Sequence, residues 1–428
     1  MPSISETITA HRPDLGPYED LYKHFHAHPE LSFLESATAS TITTHLSSLA
    51  LPSSSSPPYT LHPSIGGHGV AAVLANGPGR TVLLRADMDA LPVQERTGLP
   101  YASTVRMANH EGEEKPVMHA CGHDMHVTAL LAAAEALARA RDVWTGTLVL
   151  VFQPAEERGK GAQAMVDGGL YERVPVPDVV VGAHVMPYRA GVIGTKHGLI
   201  ASSADSFHLT IHGRQSHAST PHTSIDPILL SASTILRLQT IVSRETDPSD
   251  FAVVTVAAMH AGDAENIIPE RADLKLDVHA ALPATRARVL ASMRRIIAAE
   301  AQASGAPDAP TLTQTRQFPL LFNDREVTAA VEKTFSRHFE VGQKAYDADV
   351  TRLQGSEDFG ILATAVGKPS CFFLYGGVDP QLWDRLEEEG RLKEVPGNHS
   401  PFFAPVIQPT LTVAVDGYVG ATLTFLGV

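Results

Sequence analysis

Cysteine is nearly absent from this chain: its 428 residues contain two, Cys121 and Cys371. Two thiols make no disulfide framework, which excludes a small cross-linked secreted scaffold. Basic residues are outnumbered, 33 Lys and Arg against 47 Asp and Glu, for a formal net charge of -14. That balance argues against a nucleic-acid partner, whose phosphates call for a basic face. No apolar run reaches the roughly eighteen residues that a membrane-spanning helix needs, so no membrane segment is expected. The first residues, MPSISETITAHRPDLG, lack the basic start and apolar stretch of a signal peptide. A cytoplasmic protein with reduced thiols is therefore expected. What is present is apolar mass: 43% hydrophobic against 19% charged residues allows a large core. The length fits two or three domains.

Helix and strand signals alternate along most of the chain. LPSSSSPPYTLHPS, 51–64, reads as an exposed loop. TVLLRADMDA and GTLVLVFQPAEE are apolar strands ending in acids, and DVVVGAHVMP is a strand ending in His184. MHVTALLAAAEALARA is helical, with no Gly or Pro. Continuously apolar strands are those buried between helices in a mostly parallel sheet. In such α/β sheets ligands bind beyond the carboxyl ends of the strands.

The middle of the chain differs. FHLTIHG, FAVVTVAAMHAG, RADLKLDVHAAL and TLTQTRQF read as strands, with helices DPILLSASTILRLQTIVSRE and ATRARVLASMRRIIAAEAQASG between them. The order βαββαβ is ferredoxin-like. The expected organisation is a catalytic domain in two parts, 1–203 and 319–428, with an inserted α+β domain at 204–318.

Five segments offer metal-type donors: RADMDA with Asp87 and Asp89, ACGHDMH with Cys121, His123, Asp124 and His126, QPAEE with Glu156 and Glu157, GAHV with His184, and GNHSPFF with His399. Alone, each has a bland reading: a hydrogen-bonded core histidine, or a solvated acid pair. Buried strands rarely end in ionisable groups, because an unpaired buried charge costs several kcal/mol. Gathered at strand ends, one thiol, several imidazoles and carboxylates suit a transition-metal site. A cation would also depress the Cys121 pKa. A Cys–His protease dyad is the competing reading, and it leaves the remaining segments without a purpose. A redox role would want a second cysteine nearby. Cys371, in the apolar run SCFFLYGG, reads instead as a small buried hydrophobe.

HPELSF (28–33), RADMDALP (85–92), MHACGHDMH (118–126), FQPAEE (152–157), GAHVMP (182–187), SHAS (216–219), ENIIPE (265–270), GSEDFG (355–360) and NHSPFF (398–403) follow one another along nearly the whole chain. This series resembles the M20 metallopeptidase family, specifically its amidohydrolase branch of aminoacylases, hippurate hydrolases and plant auxin-amino-acid conjugate hydrolases. The Cys-Gly-His-Asp variant separates that branch from the peptidases. The resemblance implies a zinc-peptidase-like catalytic domain with a ferredoxin-like lid and dimerisation insert. It implies two divalent metal ions per subunit, Zn²⁺ or Mn²⁺, held at the positions matching Cys121, His123, Glu157, His184 and His399. Glu156 matches the general base that activates the attacking water. His217 matches a histidine lent to the neighbouring subunit of a homodimer to stabilise the oxyanion, and Asn266 a substrate-binding residue.

Asp89 and Asp124 are expected to orient ligating histidines, and His126, one turn along, to be structural. Two divalent cations against one thiolate, one carboxylate and a hydroxide leave a positive site, suited to an anionic small molecule such as an N-acyl amino acid. Arg214, Arg271 and Arg316 are candidates to grip its carboxylate. One stretch departs from the branch: VRMANHEGEEKP, 105–116, is longer and more polar there. The leading reading is a metal-dependent amidohydrolase cleaving acyl or aryl-acyl groups from amino acids. A dipeptidase or carboxypeptidase is disfavoured because those members carry His-x-Asp where this chain has Asp87-Met-Asp89. A metal-binding protein without catalysis would lack the carboxylate that Glu156 supplies.

Overall fold

The computed structural model describes residues 2–49, 58–339, 345–353 and 355–427. It divides into two compact units. The first comprises Met1–Ile200, Phe322–Arg352 and Asp358–Val428, and the second Ala201–Leu321 with Leu353–Glu357.

The first unit is built on an eight-stranded sheet. Its centre is parallel: Gly146–Gln153, Thr81–Asp87, Val179–Arg189 and Ser370–Val378 lie side by side in that order. These are the continuously apolar runs, and they are buried except at Thr81, Thr147 and the last residues of Val179–Arg189. Both flanks turn antiparallel. Gly69–Asn76 and Thr60–Ile65 close one edge, and Ile193–Gly194 runs against Ser370–Val378 at the other. The sheet is therefore mixed rather than mostly parallel: a hairpin-length connection makes Thr60–Ile65 and Gly69–Asn76 antiparallel, and the other two antiparallel pairs join strands distant in sequence. Of the expected loop 51–64, residues 51–57 lie outside the described residues, and Thr60–Ile65 forms the edge strand.

Helices flank this sheet. His123–Arg139 is buried on almost every side and packs against Thr410–Leu426, also nearly all apolar. A helix apolar all round belongs inside a core. No helix among the described residues is long and apolar enough to cross a membrane.

The second unit holds a four-stranded antiparallel sheet in the order Ala252–His260, Arg271–Ala280, Ser203–His212, Thr311–Phe318. Alternation decides its faces. Ala272, Leu274, Leu276 and Val278 join Phe207, Leu209 and Ile211 in one core with the helices Pro227–Thr240 and Pro283–Ala303. Charged and polar residues such as Asp273, Lys275 and Asp277 take the alternate positions.

Candidate metal centre and active site

Parallel register brings the site together. Asp87 pairs with Gln153, so the carboxyl ends of two adjacent strands are level and the loops carrying Asp89 and Glu156 leave side by side. Val179–Arg189 does not end at His184. It stays paired with Ser370–Val378 beyond it, so His184 projects from mid-strand. The helix His123–Arg139 starts on the metal-type motif itself, behind Gly122 in the left-handed region (φ 86°). A Cβ on Gly122 would meet Val185 Cγ1 at 2.4 Å, so only glycine lets the Cys121–His123 turn approach that strand.

Asp89 organises the glutamate turn. Its Oδ1 accepts the backbone amide of Glu156 and its Oδ2 that of Glu157, both at 3.1 Å. Ser32 Oγ also donates to Oδ2 at 2.6 Å. The Asp89 carbonyl accepts His123 Nδ1 at 2.8 Å, which fixes that ring's tautomer with its lone pair at Nε2. His184 is set the same way, Nδ1 donating to the Val185 carbonyl at 2.7 Å and Nε2 lying 3.4 Å from Cys121 Sγ. His399, itself left-handed (φ 70°), donates its amide to the Ala120 carbonyl at 2.8 Å. Asn398 Nδ2 adds bonds to the carbonyls of Cys121 and Val185, at 3.2 Å each. His399 Nε2 is thereby held 3.3 Å from Glu157 Oε1.

The donor atoms of Cys121, His123 and Glu157 all lie within 4.8 Å of one another, as do those of Asp87, His123, His126 and His184. His123 Nε2 is buried without a hydrogen-bond partner. Burial opposes charge on His123, but Asp87, Asp89 and Glu157 more than reverse this and push its pKa up to about 10. The pocket thus favours a positive charge at Nε2, where a cation would sit. Burial drives the His184 pKa well below its ordinary value, leaving a neutral imidazole able to ligate. Burial, then Glu157 and Glu156, drive the Cys121 thiol well above its usual range. A thiolate in this place therefore depends on a cation. An orphaned imidazole nitrogen, a thiol and a carboxylate within one ion's reach fit a divalent metal.

His126 does not offer a free donor. The Val185 amide donates to its Nε2 at 2.9 Å, and its Nδ1 bonds Asp87 Oδ1 at 2.5 Å. Arg85 Nη1 holds the other Asp87 oxygen at 2.7 Å. Asp124 departs from expectation. Its carboxylate bonds His26 Nδ1, at 2.6 Å, rather than a histidine of the donor cluster, because His26 is buried between it and Glu95 (3.0 Å) and needs both acids. His26 and Glu95 carry no motif that marks them, and neither does Glu35, whose Oε1 accepts the Ala155 amide at 2.9 Å. The 105–116 stretch folds as a small hairpin, Arg106–Ala108 against Glu114–Pro116, and His110 Nε2 reaches the Ser32 carbonyl at 2.9 Å.

His217 and Asn266 lie on the second unit and are neighbours there. Ser216–His217 pairs with Ile267–Ile268, and the Ala218 amide donates to the Asn266 carbonyl at 2.9 Å. His217 is exposed. Its Nδ1 accepts the Ser219 amide at 3.1 Å, which leaves the ring proton on Nε2 as an outward donor. Arg271 pairs with Asp273 (3.1 Å), and Arg316 bonds Ser206 Oγ (3.2 Å). Arg214 is exposed and has neither an ion pair nor a side-chain hydrogen bond among the described residues.

Comparison with known proteins agrees with this geometry. Residues 83–389 match the model of peptidase family M20/M25/M40. Hippurate hydrolase from Campylobacter jejuni is 37% identical over 347 residues, 81% of this chain and 84% of that protein. Thermostable carboxypeptidase 2 from Saccharolobus solfataricus is 33% identical over 359 residues, 83% and 84% of the two chains. The crystal structure of Bacillus subtilis YXEP, described as a dinuclear metal binding peptidase of the M20 family, superposes with a TM-score of 0.72 at 27% identity over 98% of this chain and 99% of that one. With a family match over most of its length and relatives of this similarity, the chain belongs to peptidase family M20/M25/M40.

Proposed function

We propose that this chain is a metal-dependent amidohydrolase that splits the amide bond of N-acyl and aryl-acyl amino acids. The observation that carries the reading is the Glu156–Glu157 turn, pinned through consecutive amides to Asp89 beside the Cys121–His123 donors. Cys121, His123, Glu157, His184 and His399 would hold a pair of divalent cations, with Zn²⁺ and Mn²⁺ the two candidates. Bound there, they supply Lewis acidity that makes water nucleophilic near neutral pH. Glu156 takes the proton of the attacking water and returns it to the departing amine. Backbone carbonyls hold the Nδ1 protons of His123 and His184, so a bound cation would meet the Nε2 of each ring, displacing any proton that the acids around His123 favour there.

The second unit, with boundaries near 204 and 318, is assigned the lid and dimerisation role. Its outer strand Ala252–His260 exposes Val253 and Met259, and its helix exposes Leu229 and Leu236. An open edge with apolar neighbours supports isologous pairing with a second copy. His217, its Nε2 proton turned outward, is assigned to the oxyanion in the partner's site, and Asn266 to substrate. Arg214 is assigned to the substrate carboxylate, since Arg271 and Arg316 are already engaged. Two free, buried thiols support a reducing cytoplasm.

The carboxypeptidase relative makes peptide cleavage the second reading. A panel of N-acetyl, N-benzoyl and indole-acetyl amino acids, set against dipeptides and assayed with Mn²⁺ and Zn²⁺ separately, tests both. Faster turnover of dipeptides than of every acyl amino acid would overturn the first.

A further inference from the structure

Four non-glycine residues of the described chain have left-handed backbones: Phe33, Ser64, Ala155 and His399. Two of them donate their amides to one atom. Glu35 Oε1 accepts Phe33 N at 2.8 Å and Ala155 N at 2.9 Å. Glu35 occupies the N-cap position of the helix Ser36–Ser48 but makes no capping bond with its side chain. Glu30 does that work, bonding the amides of Ala37 (3.1 Å) and Thr38 (2.7 Å). The Glu35 carboxyl is instead fully buried against the turn that leads into Glu156. Three successive amides of that turn, Ala155, Glu156 and Glu157, therefore end on two buried acids, Glu35 and Asp89.

Ala155 is the pivot. With φ 51° and ψ 38° it reverses the chain between the strand Gly146–Gln153 and the short turn Glu156–Arg158. An L-residue resists that conformation, and persists in it only when its surroundings over-determine it. We infer that Glu35 is a positioning residue: it holds Ala155 left-handed and so fixes the direction in which Glu156 enters the site. This rests on the reading of Glu156 as general base. Burial, then the charge of Asp89, pushes the Glu35 pKa up to about 8. Glutamine is the nearest mimic of Glu35 in shape and keeps an acceptor oxygen for the Phe33 and Ala155 amides.

The test compares E35Q and E35M in the full-length metal-loaded enzyme, measuring kcat, KM and bound metal. E35Q, which keeps a carbonyl for both amides, should retain kcat within about threefold of wild type, whereas E35M should lose about 10- to 100-fold in kcat, the scale of a slightly misplaced catalytic group. KM and metal content should hold in both. Adding Ala155→Gly to E35M should restore at least about tenfold, because glycine takes the left-handed conformation unaided. If E35M does not accumulate as folded protein, E35D takes its place, keeping the acid but falling short of Ala155. Full kcat in E35M, loss in E35Q equal to that in E35M, or no recovery with Ala155→Gly would each overturn the assignment. E156Q runs alongside. Near-normal turnover there removes the general-base reading itself, whereas an inactive E156Q beside a full-rate E35M removes only the positioning role.

Discussion

Asp89 accepts the backbone amide of Glu156 at 3.1 Å through one oxygen while its other oxygen holds Glu157. A carboxylate can do this because both of its oxygens are acceptors. In Asp89→Asn one oxygen becomes an NH₂ that faces a backbone donor. The expected loss is about 1–3 kcal/mol of stability, the cost of a buried donor left unmatched. Chemical denaturation of both proteins measures it. A midpoint equal to that of wild type would show that the turn does not depend on this carboxylate.

Glu156→Gln separates binding from chemistry. The amide fills the same space and leaves Glu157 and the histidines in place. It cannot take a proton from water. Turnover should fall by about 10²–10⁴ with metal content unchanged. Rate and metal stoichiometry are read from one preparation, and near-normal activity would remove Glu156 from the mechanism.

Much of this site was legible because its parts are local. Glu156 and Glu157 follow an apolar strand directly, and Cys121, Gly122 and His123 sit within three positions of each other at a helix start. What spacing does not carry is partner choice across the fold. Asp124 read as an orienting group because it adjoins His123, yet a helix turns residues one apart to different faces. Its partner is His26, 98 positions away. Asp89 read as a group that orients histidines, and its side chain holds two backbone amides, which no side-chain pattern displays. Glu35 was passed over for a similar reason: its acceptor role depends on the backbone conformation at Ala155. The edge strands were missed because Thr60–Ile65 follows a Ser/Pro-rich stretch and contains Pro63, which edge positions tolerate.

Cys121→Ser should weaken metal retention more than folding. A neutral hydroxyl replaces a ligand that a cation would hold as thiolate. Thermal melting of the metal-free variant should stay close to that of metal-free wild type, while dialysis against a chelator strips metal from the variant first. Equal retention in both proteins would reduce Cys121 to a packing residue.

The buried His26 gives the fold a pH dependence. Burial works against its charge, but hydrogen bonds to Asp124 and Glu95 raise its pKa from 6.5 to about 9. A raised folded pKa means that the charged form stabilises the fold fully below 6.5, and that this contribution fades as pH climbs through 9. Linkage puts its full size at about 3 kcal/mol. Stability measured from pH 6 to 10 should fall more steeply for wild type than for His26→Gln, which cannot titrate. Parallel curves would show that His26 keeps one charge state throughout.

His217 offers the sharpest test of the proposed assembly. A tetrahedral intermediate needs a donor about 3 Å from its developing oxyanion. His217 has its Nε2 proton available, because Nδ1 is occupied by the Ser219 amide. If each subunit lends this donor to its partner, His217→Ala and Glu156→Gln homodimers are both inactive for different reasons. Mixed, with subunits allowed to exchange, they form dimers in which one site carries both defects and the other carries neither. Random exchange of equal amounts makes half the dimers mixed, so about a quarter of wild-type activity should return if the sites act independently. Exchange is followed with differently tagged subunits, so a failure to mix is seen directly. Confirmed exchange without recovered activity would place His217 in the service of its own subunit, or outside catalysis.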